Sequence, residues 1–288
     1  MMTHPFTYET PASIEEAVAL LGRSPEAKVV AGGHSLLPLM KLGLVQPAGL
    51  VDIRLISSLR EIRSEDGAIV VGALATHRAI AADPSIRSQL TALADAAAAV
   101  GDLQVRSRGT IGGSLAHADP AADEPGPALA FDDTIRAVGP KGRRDIPARE
   151  FFRGPFETAL TANEIVAEIR FPLRQGPGGS AYAKFPHPAS RFAVVGVAAA
   201  IALGADGTIE RAAIGVTGAA AAPFRAAAAE KALVGTRGDA NAIAAAAAKA
   251  ADGIDALADL AASAEYRRHL VTVYAKRALA RAMERARA

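Results

Sequence analysis

The chain contains no cysteine. It can form neither a disulfide nor a thiolate-ligated zinc or iron–sulfur site, so any such cluster serving it must belong to a partner. Net charge is also scarce. The 32 basic and 30 acidic residues leave +2 at pH 7, and the basic ones are scattered, so nothing argues for nucleic acid as a partner. The series Arg277, Arg281, Arg285 and Arg287 reads as one solvated helix face. No uncharged apolar run reaches the roughly 18 residues of a transmembrane segment; the nearest are alanine tracts broken by Lys, Asp or Gly. Met1-Met2-Thr3-His4-Pro5 lacks the basic-then-apolar pattern of a secretory leader, so a cytoplasmic location is expected, with peripheral attachment to a membrane as the alternative. Several catalytic signatures are missing too. There is no Gly-Lys-Ser/Thr after a glycine loop, no G-x-G-x-x-G after a strand and no G-x-S-x-G elbow, which removes the Walker, Rossmann and hydrolase readings.

Two glycine pairs stand out in what remains. Ala31-Gly32-Gly33-His34-Ser35-Leu36-Leu37-Pro38 follows the apolar run Lys28-Val29-Val30, as a strand, a turn and a helix start would. Thr110-Ile111-Gly112-Gly113-Ser114 repeats the device. Glycine takes positive φ without steric cost and lets backbone approach a ligand, so successive N–H groups in such turns converge on an anion. Each N–H bond to a charged phosphate oxygen is worth about 1.5–3 kcal/mol, so a few of them hold a diphosphate without a lysine. Arg106 and Arg108 would add charge, and the hydroxyls of Ser35, Thr110 and Ser114 would add donors. On spacing alone, ordinary tight turns remain an equal reading.

At 288 residues with 50% hydrophobic and 22% charged content, the chain is globular and long enough for two domains. Strands at Phe6–Tyr8, around Val29 and at Leu50–Ile53 alternate with a capping-box helix from Ser13 and a helix at Pro38–Gly43, a small parallel α/β unit. From Leu59 the segments shorten. Asp66-Gly67 and Gly139-Pro140-Lys141-Gly142 are hairpin turns, Thr76 caps a short helix, Ile86–Val100 is an alanine-rich helix, and Ile165–Phe171 alternates as a strand. His117-Ala118-Asp119 reads as loop hydrogen bonding. Arg174–Ser180 is the clearest linker, and beyond it come three strands, Ala181–Lys184, Val194–Leu203 and Thr208–Thr217. Helices follow at Pro223–Val234, Ala240–Ala251 and from Ser263, the last with a stripe of Tyr266, Leu270, Val273 and Tyr274. The expected division is 1–177, split into a small α/β part (1–56) and an antiparallel part (57–177), and 178–288.

Val30–Pro38 and Gly109–Asp123 together resemble the paired flavin motifs of the FAD-binding medium subunit of molybdenum hydroxylases, in particular the carbon monoxide dehydrogenase type, and the resemblance runs along essentially the whole chain. It implies an α+β fold: a two-part FAD-binding domain of the vanillyl-alcohol-oxidase/PCMH type, then a three-stranded sheet with a helix bundle. It implies that Ala31, Gly32, Gly33, His34, Ser35 and Leu36, with Thr110, Ile111, Gly112, Gly113 and Ser114, wrap the FAD diphosphate and ribityl chain. Asp123 matches a flavin-contacting carboxylate, Lys184 a lysine near the isoalloxazine, and Val166 an apolar contact to the ring system. His34 serves either the cofactor or its own turn. By the same resemblance a large partner subunit carries the molybdopterin cofactor and the substrate pocket, a small one carries two 2Fe-2S clusters, and the complex is a dimer of heterotrimers. The flavin would couple one-electron clusters to an external two-electron acceptor, a quinone or another carrier. No residue of this chain is assigned to substrate catalysis.

The sequence departs from the family pattern twice. Ser114 stands where many relatives carry Asn, and Arg191-Phe192-Ala193 replaces Asp-Tyr-Ala, so Phe192 would stack on the ring without offering a hydroxyl. Two rivals stay open: a stand-alone FAD-dependent oxidoreductase of the same flavin fold, and a non-redox nucleotide-binding module.

Overall fold

A computed structural model describes residues 4–173 and 175–288. The first three residues of the N-terminal reading and Arg174 of the expected linker lie outside the described residues.

The chain begins with a parallel three-stranded sheet. Its elements are β1 (Thr7–Glu9), α1 (Ile14–Arg23), β2 (Ala27–Val30), α2 (Leu36–Lys41) and β3 (Gly49–Asp52), with strand order β1-β3-β2. Ser13 caps α1 by accepting the Glu16 N–H at 3.1 Å. Glu16 reaches back to the Ala12 N–H at 2.7 Å, one residue beyond the group a capping box serves. Ile14, Ala17, Val18 and Leu21 recur at helical spacing and bury against Val51 and Ile53, and also against Val138 and Ile165 of the next sheet, which joins the two parts.

The middle part holds β4 (Ile62–Glu65), β5 (Ala68–Gly72), α3 (His77–Ala82), α4 (Pro84–Gln89), α5 (Thr91–Ala99), α6 (Leu103–Arg108), α7 (Ile111–His117) and α8 (Pro125–Phe131). It continues through β6 (Thr134–Gly139), β7 (Gly142–Pro147), α9 (Ala148–Phe151), β8 (Phe152–Gly154), β9 (Glu157–Thr158) and β10 (Ile165–Pro172). Five of these strands form an antiparallel sheet in the order β4-β5-β10-β6-β7, and the short β8 and β9 pair separately. Asp66 and Gly67 both take positive φ in the expected hairpin. The single helix expected over Ile86–Val100 is broken at Leu90. The reason is tertiary: the Ser180 hydroxyl accepts the Ala92 N–H at 3.0 Å and the Ser180 carbonyl accepts the Thr91 hydroxyl at 2.6 Å, so a residue from elsewhere in the chain starts α5 afresh.

The last part has β11 (Gly178–Pro186), β12 (Ala193–Leu203), β13 (Ile209–Thr217), β14 (Phe224–Arg225), α10 (Ala227–Leu233), α11 (Ala240–Ala247) and α12 (Ala264–Arg287). The sheet is four-stranded, β11-β12-β13-β14. Its fourth strand takes the first residues of the helix expected from Pro223, and β11 takes Gly178–Ser180 of the expected linker. α11 ends at Ala247, short of the expected Ala251. α12 lies on β11 and β12 with Leu270, Tyr274, Ala278 and Ala282 buried, while Tyr266 stays exposed. Of the arginines expected to form a solvated face, Arg277, Arg281 and Arg287 are exposed, whereas Arg285 binds Asp95 at 2.7 Å and the Ser180 carbonyl at 2.6 Å, holding α12 to α5 and β11. No helix among the described residues is long and apolar enough to cross a membrane.

Candidate functional site

The first glycine pair forms the turn expected of it. Gly33 sits at φ +75°, which a residue with a Cβ adopts only under strain, and the chain enters α2 directly afterwards. The Gly33 carbonyl accepts the Leu37 N–H at 3.0 Å, whereas the N–H groups of Gly33, His34, Ser35 and Leu36 meet no acceptor among the described residues. Unpaired donors at a helix start are suited to an anion. His34 is exposed and makes no hydrogen bond within the described chain. Beside the turn lies a cavity of about 210 Å³ lined by Phe6, Tyr8, Val30, Gly32, Gly33, Leu37, Leu50, Arg54 and Arg108. At its edge Tyr8 and Arg54 both bond the buried Asp52, with Arg54 Nε 2.8 Å from Oδ1. Burial works against the Asp52 charge, but Arg54 and Tyr8 overcome it and hold the carboxyl at about 2.

The second glycine pair is not a positive-φ turn. Gly112 and Gly113 lie within the first turn of α7, and every N–H there is already engaged. Ile111 donates to Ala75 at 3.1 Å, Gly112 to Ala73 at 2.9 Å, Gly113 to the Thr110 hydroxyl at 3.2 Å and Ser114 to the Thr110 carbonyl at 2.9 Å. The glycines serve close packing. A Cβ on Gly112 would stand 2.4 Å from the Ala73 Cβ. The two motifs nevertheless meet, since a Cβ on Gly32 would lie 2.3 Å from the Arg108 carbonyl, and the Gly113 position faces Ala31. Arg106 is also spoken for, capping the end of α5 through the Val100 carbonyl at 2.8 Å.

Behind α7 two buried carboxylates stand side by side. Asp123 Oδ2 accepts from Lys184 Nζ at 2.7 Å and its Oδ1 from the Tyr182 hydroxyl at 2.6 Å. Tyr182 and Lys184 alternate on β11, so strand geometry places both on the face that meets Asp123. Burial raises the Asp123 carboxyl to about 6, against the lowering pull of Lys184, and neighbouring Glu124 raises it further. Glu124 accepts the Ser114 hydroxyl at 2.9 Å and forms an ion pair with His77 Nδ1 at 2.5 Å that is close but not aligned as a hydrogen bond. Burial alone would lower the His77 imidazole, but the Glu124 carboxylate overrides it and holds His77 above its ordinary value; the same pairing holds Glu124 below its own despite burial.

The remaining sequence-derived positions fall into place around this frame. Val166 is buried in β10, which the second motif reaches through Ala73: Ala73 donates to the Ala167 carbonyl at 2.8 Å and accepts from Gly112. Phe192 is exposed at the end of a tight loop closed by the His187 N–H on its carbonyl at 2.8 Å. Of His117–Asp119, read as loop hydrogen bonding, His117 closes α7, and Asp119 Oδ1 accepts the Ala121 N–H at 2.9 Å. The sequence reading did not single out Tyr8, Asp52, Arg54, His77, Glu124 or Tyr182 as site residues. Only the Tyr182-Ala183-Lys184 alternation and the adjacency of Glu124 to Asp123 hinted at them.

Residues 4–174 match the FAD binding domain in molybdopterin dehydrogenase, and residues 180–282 match the CO dehydrogenase flavoprotein C-terminal domain. The chain belongs to the FAD-binding medium subunits of molybdenum hydroxylases. It is 38% identical over 275 residues to the carbon monoxide dehydrogenase medium chain of Hydrogenophaga pseudoflava, covering 95% of this chain and 96% of that one. It is 36% identical over 283 residues to subunit alpha of the 6-hydroxypseudooxynicotine dehydrogenase complex of Paenarthrobacter nicotinovorans, covering 98% and 96%. A solved carbon monoxide dehydrogenase from H. pseudoflava, lacking the Mo-pyranopterin moiety of its cofactor, superimposes with a TM-score of 0.94 at 40% identity over 99% of both chains. The cofactor of a medium subunit in this family is FAD. The residues present fit it: four free N–H groups suit a diphosphate, Gly32 and Gly33 line the cavity of about 210 Å³ beside them, and the buried Lys184 and Asp123 bring a donor and an acceptor farther along the fold.

Proposed function

We propose that this chain is the flavin-carrying subunit of a multi-subunit molybdenum hydroxylase, taking electrons from iron–sulfur clusters on a small partner and delivering them to an external acceptor, a quinone or another carrier. The large partner holds the molybdopterin cofactor and the substrate pocket, and the assembly is a cytoplasmic dimer of heterotrimers. One observation carries the reading: the unpartnered N–H groups of Gly33–Leu36, backed by the second motif, in a chain matched along almost its full length by medium subunits. Bound FAD supplies the exchange between one-electron and two-electron chemistry.

The chain's own residues bind and orient. In this reading residues Ala31–Leu36 hold the diphosphate, and Thr110–Ser114 form the wall that fixes that turn. Asp123 and Lys184, locked together by Tyr182, present a polar edge to the flavin, Val166 gives an apolar contact and Phe192 covers a ring face. The division at 177/178 separates the part that carries the glycine motifs from the part that carries Lys184 and Phe192. The relatives' names point to carbon monoxide in one case and 6-hydroxypseudooxynicotine in the other at similar identity, which supports substrate choice residing outside this chain.

The test is native purification of the chain with whatever accompanies it. A visible oxidised-flavin spectrum, releasable FAD and iron-bearing partners are expected. A colourless complex that cannot be loaded with FAD overturns the reading, and flavin without partners, with substrate turnover by the chain alone, favours a stand-alone oxidoreductase.

A further inference from the structure

The hydroxyl of Ser114 was expected to add a donor to the second motif, but its single proton is already given. Ser114 Oγ donates to Glu124 Oε2 at 2.9 Å, and on the other carboxylate oxygen His77 Nδ1 stands at 2.5 Å. Burial alone would raise the Glu124 carboxyl, yet the imidazole beside it holds it below its ordinary value. An ionised carboxylate only accepts, so the direction of the bond is fixed and Ser114 keeps lone pairs alone for a ligand. A phosphate oxygen set against it would meet oxygen with no proton between. Thr110 is the contrast: its hydroxyl accepts the Gly113 N–H at 3.2 Å and so keeps its own proton for another partner. Polarity thus reverses within one turn of α7. The pair that enforces this is tightly held. Glu124 is 1% and His77 4% exposed, while Ser114 is the one member of the three that is not buried. The His77 N–H donates to the Gly109 carbonyl at 3.1 Å, and a Cβ on Gly109 would stand 2.7 Å from the imidazole Nε2, so His77 is clamped against the start of the motif.

We infer that Glu124, paired with His77, is a positioning residue that makes Ser114 an obligate acceptor, and that Ser114 receives a donor of the flavin half of the cofactor, a ribityl hydroxyl or the ring N–H, rather than a phosphate oxygen. This rests on the flavin-subunit reading. The flavin half is indicated because Glu124 adjoins Asp123, whose oxygens are held by Lys184 and Tyr182 on the edge that the same reading turns toward the flavin. The diphosphate is left to the free N–H groups of the first turn, which meet no acceptor among the described residues.

The probes are FAD and ADP, which keeps the diphosphate and lacks the flavin half, each titrated into the full chain stripped of its flavin. Ser114→Ala should raise the FAD Kd roughly fivefold, the loss of one hydrogen bond, and leave the ADP Kd unchanged. Glu124→Gln keeps the side-chain shape and removes the charge that orients the hydroxyl. It should raise the FAD Kd when Ser114 is present and have no further effect in the Ser114→Ala background, a coupling that a merely structural role of Glu124 would not produce. Equal weakening of FAD and ADP by Ser114→Ala would place the contact on the ADP half and overturn the inference, and so would an unchanged FAD Kd in that variant. A Glu124→Gln effect of the same size in both backgrounds overturns the positioning role. Should Glu124→Gln fail to fold, the Ser114→Ala comparison alone decides. None of these outcomes touches the flavin-subunit reading, which fails only if the wild-type chain cannot hold FAD.

Discussion

The two glycine pairs are near-copies in sequence and opposites in structure. Gly32-Gly33 is a loop with one left-handed residue, followed by a helix start, and four N–H donors there meet no acceptor among the described residues. Gly112-Gly113 is the start of a helix whose donors are consumed by Ala73, Ala75 and Thr110. The lesson is that a glycine pair announces close approach without saying what approaches. At the first pair the open side faces a cavity; at the second it faces the protein's own backbone. The second is the buttress of the first, because Gly32 rests on the Arg108 carbonyl and Gly113 faces Ala31.

That contrast breaks most sharply at His77. Its substitution by alanine strands Glu124 as a buried charge beside α7, a loss of about 3–5 kcal/mol. Urea denaturation should show it, and a loss under 1 kcal/mol would remove the pair from the buttress. The pH dependence has a definite sign. The folded-state pKa of His77 is raised, so its contribution is full below the ordinary histidine value and fades as pH rises through the raised one. The wild type should therefore lose stability as pH rises above the ordinary histidine value, and His77→Ala should flatten that slope.

Gly112→Val comes next. Its side chain would collide with Ala73, so about 3 kcal/mol of stability and with it the soluble yield should fall. If the variant folds normally and only sheds FAD, the second pair is a ligand turn after all. Gly33→Val tests the other half. A Cβ there meets only the Leu37 side chain, so the main cost is the positive φ, about 1–3 kcal/mol. Far-UV circular dichroism should stay unchanged while FAD retention drops at least tenfold; full flavin content in this variant would sink the phosphate-turn assignment.

The smallest pH-dependent effect is expected at Asp123→Asn, which also leaves the buried Lys184 without its carboxylate. The folded carboxyl is raised to about 6, so the folded state holds its proton more tightly than the unfolded one and wild-type stability declines as pH rises from about 4 to 6. The asparagine variant should lose that decline, read as a flatter melting temperature across the same window. An unaltered slope would mean that Asp123 does not titrate there.

Much of the architecture was legible because it is written locally. Ser13, Thr76 and Ser263 cap helices where a hydroxyl precedes an apolar period, and Asp66-Gly67 folds its hairpin because both residues tolerate left-handed backbone. What failed to show was set by distant groups. The break at Leu90 depends on Ser180, and β14 forms because β13 offers Phe224 and Arg225 an edge. Arg285 left the otherwise exposed arginine face for the same reason, since Asp95 and the Ser180 carbonyl lie far from it in sequence. Tyr8, Asp52 and Arg54 were invisible because their meeting needs β1 and β3 to pair in register, Tyr8 opposite Leu50.

By itself, the sequence determined the family, the flavin motifs and the succession from a parallel α/β unit to an antiparallel part to a final sheet with helices, since caps, turns and periodicity act within a few residues of one another. Only the tertiary structure decided which glycine pair keeps its donors free, and that Asp123 and Glu124 are each paired with a separate buried cation. Those facts depend on which backbone and which charge each residue meets across the fold, and burial removes the water that would otherwise make the choice immaterial.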